Sequence, residues 1–186
     1  MDKRVSTILF AVMAVLFIVA CGDCKKKGNG QKSLATTEES KGDTTVYGVC
    51  GVNTAMHNLE LVTVQGDTLN YLFDVDDESA VKGGLLAGDR LAVVGYKNAD
   101  GEYEANQVLN LTTLMGKWRS IDKQFELMED GTVLSAVKEE ARPWTSWKVF
   151  NGQLLLNKDT FTVNALGADS LFLENAHGIF TFTRQK

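Results

Sequence analysis

With 186 residues, the chain is long enough for one medium domain or two small ones, and its net charge of −5 is unevenly spread. Residues 45–113 carry three basic and ten acidic side chains, while 114–186 carry nine of each, so neither half offers the basic footprint that nucleic acid requires. One proline and 17 glycines punctuate runs rich in Val, Leu, Thr and Phe without sustained helical periodicity, which predicts an all-β fold.

The chain starts with a charged pair, Lys3-Arg4, ahead of an apolar run from Ile8 to Val19. That run is shorter than the roughly 20 residues a bilayer-spanning helix needs, and small residues follow it. Basic start, apolar stretch and small residues form the order of a secretory signal. Ile18-Val19-Ala20-Cys21 closes the stretch and resembles the lipobox of bacterial lipoproteins, in which an aliphatic residue and one or two small ones precede a cysteine. The resemblance implies that residues 1–20 are a signal peptide and that Cys21 becomes the first residue of the mature chain. It also implies a diacylglycerol on the Cys21 thiol, which makes the membrane a partner. Gly22 stands where lipoproteins retained in the enterobacterial inner membrane carry Asp, which points by analogy to the outer membrane.

Residues 21–44 then read as a flexible tether of Lys, Gly, Ser, Thr, Asn and Glu around an isolated Leu34, with too little apolar surface to fold. Lys25-Lys26-Lys27 can touch anionic head groups, at about 1 kcal/mol each near such a surface, but several acyl chains on one cysteine dominate the anchoring. Asp43-Thr44-Thr45 resembles the Asp-Ser/Thr-aliphatic O-glycosylation sites of Bacteroidetes envelope proteins, which makes Thr44 a candidate acceptor. Asp67-Thr68-Leu69 and Asp169-Ser170-Leu171 share the pattern in less accessible places, and Asp-Ser/Thr is also common turn chemistry. With Cys21 lipidated, Cys24 and Cys50 remain. A disulfide between them would close a loop of about 27 residues and contribute about 3 kcal/mol in the chain-entropy account. The alternative is two independent thiols, one in the tail and one buried in a strand.

Residues 45–113 alternate as strands do. Val46–Val52 is the first, Leu59–Val64 the second, and Gly66-Asp67 turns into a third whose Leu69, Tyr71, Phe73 and Val75 share a face. An acidic connection, 76–88, leads to Arg90–Tyr96, and Asn98–Gly101 turns into Tyr103–Leu111. Five strands with the longer link between the third and fourth resemble a small OB-like barrel.

Residues 114–186 form a second β domain. Gly116-Lys117-Trp118 opens it, and Asp130-Gly131, Asn151-Gly152, Gly167–Asp169 and Ala176–Gly178 mark turns between short alternating runs. Seven or eight strands in an up-and-down meander follow, ending with Phe180, Phe182 and Arg184 on one face. A Gly-x-Trp on the first strand and an Arg at the end of the last resemble the lipocalin-like fold. The resemblance implies that Arg184 stacks over Trp118 and closes the barrel, a cation–π contact of about 0.5–2 kcal/mol. Small lipoproteins carrying such a domain after a lipobox are familiar from Bacteroidetes-type bacteria, and the whole chain resembles them. Here the strands are shorter than in lipocalins proper, at about six residues. The inward set (Phe125, Leu127, Trp147, Val149, Phe161, Phe180, Phe182) is bulky enough to fill an eight-stranded interior.

Catalytic or metal chemistry finds little support. Asp74–Glu78 places oxygens at alternate positions, but Ser79 and Leu85 stand where a calcium loop needs Gly and Glu. His57 and His177 lie in predicted turns with no ligand-spaced Cys or His nearby. Cys50 and a histidine lack the elbow and orienting group of a nucleophilic site. The expectation is therefore a non-enzymatic outer-membrane lipoprotein without cofactor or metal, binding a small apolar ligand or an envelope protein. An envelope-stress or metal-responsive lipoprotein of NlpE-like type is the alternative, although the order of its barrels is reversed and only Cys21-x-x-Cys24 remains of its Cys-x-x-Cys.

Overall fold

The computed structural model describes residues 42–74, 77, 79–136 and 142–186. Ser40–Lys186 forms one compact unit with its own apolar cores, built almost entirely of strands.

The first sheet contains β1 (Val46–Cys50), β2 (Asn58–Thr63), β3 (Thr68–Leu72), β4 (Val81–Lys82), β5 (Arg90–Lys97) and β6 (Tyr103–Asn110). β1 lies between β2 and β5, β3 continues from β2, and β6 pairs antiparallel with β5. A short parallel contact, Tyr71↔Tyr103 and Leu72↔Glu104, joins β3 to β6 and closes the ring. This pairing order is that of an OB-like barrel. Alternation explains the core: Leu59, Leu61, Tyr71, Leu91, Val93 and Val108 point inward and are buried together with Cys50.

Two details differ from expectation. The connection 76–88 contains a further strand, β4, which pairs parallel with β6 through Val81↔Val108. Two residues are too few to show any alternation. The strand expected to run to Leu111 stops at Asn110, where the single-turn helix α1 (Leu111–Leu114) begins. Asn110 is fully buried and supplies the helix cap, its Oδ1 accepting from the Thr113 N–H at 2.9 Å. Its Nδ2 donates to the Gly84 carbonyl at 2.9 Å and to Asp89 Oδ2 at 2.6 Å. One amide thus ties the 83–89 loop to the helix that leads into the second sheet.

That sheet has eight strands: β7 (Gly116–Arg119), β8 (Gln124–Leu127), β9 (Val133–Ser135), β10 (Trp147–Phe150), β11 (Gln153–Leu156), β12 (Asp159–Leu166), β13 (Ser170–Asn175) and β14 (Gly178–Arg184). β7–β9 and β10–β14 are meanders, and β14 returns to β7 through Arg184↔Trp118. Among the described residues the β9–β10 seam is the thinnest. There Thr132 bridges Ser146, Val133 N–H donates to the Thr145 carbonyl at 3.0 Å and Trp147 N–H to the Gly131 carbonyl at 2.7 Å. The result is a nearly closed antiparallel barrel. Asn151 (φ +49°) and Gly152 (φ +75°) provide the two positive-φ positions of a tight hairpin.

The expected boundary at 113/114 falls inside α1. Ala92, Leu109 and Leu111 from the first half share one apolar cluster with Leu114, Trp118, Leu127, Val149 and Phe182 from the second. Tyr47 donates its hydroxyl to the Val149 carbonyl at 2.7 Å, and Gln107 Nε2 donates to the Gly152 carbonyl at 2.8 Å. A Cβ at Gly152 would sit 2.6 Å from Gln107 Oε1, so the turn residue also sets how closely the sheets approach.

Removing the Asn110 side chain strips a helix cap and breaks its bonds to the partly buried 83–89 loop. Asn110→Ala is expected to lower the unfolding free energy of residues 40–186 by about 2–4 kcal/mol, read from urea unfolding followed by circular dichroism.

Candidate functional site

The second barrel has two unlike ends, fixed by strand direction. Gly116, the Asn151-Gly152 turn and Gly167–Asp169 lie at the end next to α1. The 120–123, 157–158 and 176–177 turns lie at the far end.

At the α1 end, Trp118 and Arg184 are brought together. The Arg184 guanidinium carbon lies 4.2 Å from the centre of the fully buried Trp118 ring. Its nitrogens donate to the carbonyls of Met115 (2.9 Å), Thr113 and Ala168. The Trp118 indole donates to the Leu114 carbonyl at 2.8 Å. A helix leaves its last carbonyls without intrahelical partners, and here the barrel's own Trp and Arg satisfy those around the end of α1. Burial pushes the Arg184 pKa below the usual guanidinium value, and Asp169 pulls it back up. Gly116 is part of the same construction: its φ is +112°, and a Cβ there would meet Arg184 Nη1 at 2.8 Å. The Gly of Gly-x-Trp makes room for the arginine.

The interior is occupied by side chains. Phe125, Leu127, Val149, Phe161 and Phe182 from the expected inward set are buried, as are Leu154, Leu156, Leu171 and Leu173. Trp147 and Phe180 are only partly buried. Trp147 lies at the thin seam, its indole donating to the Met128 carbonyl at 2.7 Å, and Phe180 lies near the far mouth.

Sequence reading missed Trp144. It comes from a loop rather than a strand, yet it is only 6% exposed. Its ring stands steeply tilted to those of Phe125 (5.1 Å between centroids), Phe161 (5.7 Å) and Phe182 (6.4 Å). Lys123 Nζ lies 4.2 Å from its ring centre, and its indole N–H reaches towards Asp159 Oδ2 at 3.5 Å. Asn157 fixes the loop: its Oδ1 accepts the Thr145 amide at 2.9 Å and its Nδ2 donates to the Pro143 carbonyl at 3.1 Å. The signal in the sequence was a tryptophan directly after the only proline, a position with no alternation to reveal its direction.

Beside Trp144, the far mouth holds a pocket of about 270 Å³ lined by Ser120 to Lys123 and Ile179 to Phe182. Ile121 is fully exposed and Ile179 is 65% exposed on its rim. A second pocket of about 330 Å³ lies between β4–β6 and β12 and is lined mainly by polar groups, among them Lys82, Gln107 and Asn164.

The remaining candidates are scattered. Cys21 and Cys24 lie outside the described residues. Cys50 is buried on β1, unpaired among the described residues, its thiol 3.3 Å from Thr54 Oγ1. His57 and His177 are exposed and far apart in the fold, and among the described residues no three His, Cys, Asp or Glu side chains gather as a metal site would require. Asp77 is turned onto Ser79, its Oδ1 accepting the Ser79 amide at 2.8 Å. Thr44 is exposed, but its hydroxyl donates to Asn151 Oδ1 at 2.9 Å, so a sugar there would displace that bond. Asp43 Oδ1 accepts the Asn151 amide at 3.1 Å and the Thr45 amide at 3.0 Å. The chain therefore enters the folded unit at the α1 end. Compared with protein families, curated proteins and solved structures, the chain matches none.

Arg184→Ala removes the stack and three charge-assisted bonds, and is expected to cost about 2–4 kcal/mol in urea unfolding. Arg184→Lys should lose more than half of that, because one ammonium cannot stack flat and reach all three carbonyls. Burial acts to raise the Asp43 pKa, but the Thr45 hydroxyl, the Asn151 and Thr45 amides and Lys148 together hold it below 3.8. A depressed carboxylate stabilises above its unfolded pKa and loses that contribution as pH falls through the folded value. The Asn151 amide resonance should accordingly titrate with a midpoint below pH 3.8, and Asp43→Asn should abolish the titration.

Proposed function

We propose that the chain is a lipid-anchored, non-enzymatic binding protein of the outer membrane, and that the far mouth of the eight-stranded barrel is its binding surface for a small apolar ligand. The single observation that carries this reading is the apolar pocket at Ile121, Ile179 and Phe180, at the end opposite the point where the chain enters the fold. Apolar lining with a few polar groups is the usual make-up of a ligand site. The anchoring part of the reading rests on the lipobox pattern at Ile18–Cys21.

Exposed Ile121 and Ile179 favour a second reading, in which the rim receives an apolar side chain of an envelope protein. Native mass spectrometry of residues 40–186, released from the host membrane without denaturation, separates the two. A reproducible excess mass, extractable into organic solvent, is expected. Ile121→Asp with Ile179→Asp should remove it while leaving the thermal midpoint within a few degrees, since both side chains are exposed. A bare polypeptide mass would overturn the small-ligand reading in favour of the protein one.

A further inference from the structure

The pocket at the far mouth is about 270 Å³, just under the roughly 300–1,000 Å³ typical of small-molecule sites. What lies next to it is not barrel wall but Trp144. Lys123 and Phe182 line the pocket and also touch the Trp144 ring, so these two side chains alone stand between the open space and the indole. The surroundings of that ring meet each of its chemical features. Three phenyl rings contact it in tilted, edge-type geometry, a cation lies over its face, and a carboxylate faces its N–H. Strand residues and Lys123 of the 120–123 turn build this box, and a loop side chain fills it.

We infer that this box is an aromatic-binding site that Trp144 occupies in place of a ligand, and that the ligand is a flat aromatic ring carrying an N–H or O–H donor. The inference deepens the small-ligand reading above and rests on it. Such a ligand enters by the rim pocket, displaces the indole, and gains a site enlarged by the volume the indole vacates. The phenyl edges and Lys123 select a ring over an aliphatic chain, and Asp159 selects a donor on that ring. Trp144 acts as a competitor inside the molecule. The apparent affinity of the wild-type protein is reduced by the fraction of molecules in which the indole still holds the box.

The test uses residues 40–186, the compact unit, with indole as the probe and decanoate as the aliphatic control. The three tryptophans give three indole N–H resonances, assigned by single Trp→Phe changes. Added indole should shift the Trp144 resonance saturably while leaving that of Trp118, sealed at the other end, in place. Trp144→Ala should bind indole at least tenfold more tightly than wild type by calorimetry. Should that variant not fold, Trp144→Phe, which keeps a ring but loses the N–H and part of the contact, should bind more tightly than wild type by a smaller factor. Asp159→Asn is expected to weaken indole binding in either background more than it weakens binding of naphthalene, which carries no donor. No saturable change in wild type up to millimolar indole, or a folded Trp144 variant no tighter than wild type, would overturn the inference. If decanoate shifts the rim residues Ile121 and Ile179 while Trp144 stays in place, the rim reading stands and the aromatic site falls. If neither probe binds, both fall.

Discussion

Arg184 stands where the last strand, the first strand of the same barrel and the connector from the first sheet meet. Its charge is partly withdrawn from bulk water, which is unfavourable unless partners replace the lost hydration. Three carbonyls do so, two of them at the end of a four-residue helix that has no length of its own to stabilise it. The dependence is mutual. α1 needs donors for its exposed carbonyls, Arg184 needs acceptors, and Trp118 needs one acceptor for its indole and a cation for its face. Removing any one member leaves the others with buried polar atoms or an open ring face. Closure of the second barrel and its attachment to the first are therefore one interaction seen from two sides.

The same economy shapes the inter-sheet contact. Asn110 caps α1 from below while holding the 83–89 loop, so the connector is fixed at both ends by side chains that reach across sequence. Leu111 and Leu114 point into the shared apolar cluster. The surface ion pair of Arg90 with Glu129 adds a cross-sheet contact, but with both side chains exposed it contributes little beside the buried polar network.

Legibility in the sequence followed the range of the interaction. Strand order in both halves was readable because period-two alternation and turn residues such as Asn151-Gly152 are local signals. Trp118 and Arg184 were readable because the pairing is carried by two residue types at fixed places in a meander. Gly116 entered the sequence reading only as part of Gly-x-Trp, and its φ of +112° together with the approach of Arg184 shows why a Cβ is disfavoured there. Asn110 read as one more strand position, since Gly84 and Asp89, to which its Nδ2 donates, lie in a loop that only the fold brings near. Trp144 was invisible for a related reason: side-chain direction can be inferred from a strand's pleat, whereas a loop offers no such frame. Phe180 and Trp147 were placed on the right face but are only half-buried, because facing inward at a mouth or a thin seam is not the same as being enclosed.

Asp43 and Thr44 hold the β10–β11 turn before the chain becomes β1. If Cys21 is anchored in a membrane and the far mouth is held, as proposed above, tension along the chain meets the Asp43 and Thr44 bonds to Asn151 before it reaches β1. β1, wedged between β2 and β5, feels a tug only after the Asp43 and Thr44 bonds have given way. On that reading the first barrel is sheltered from the first part of any pull on the anchor.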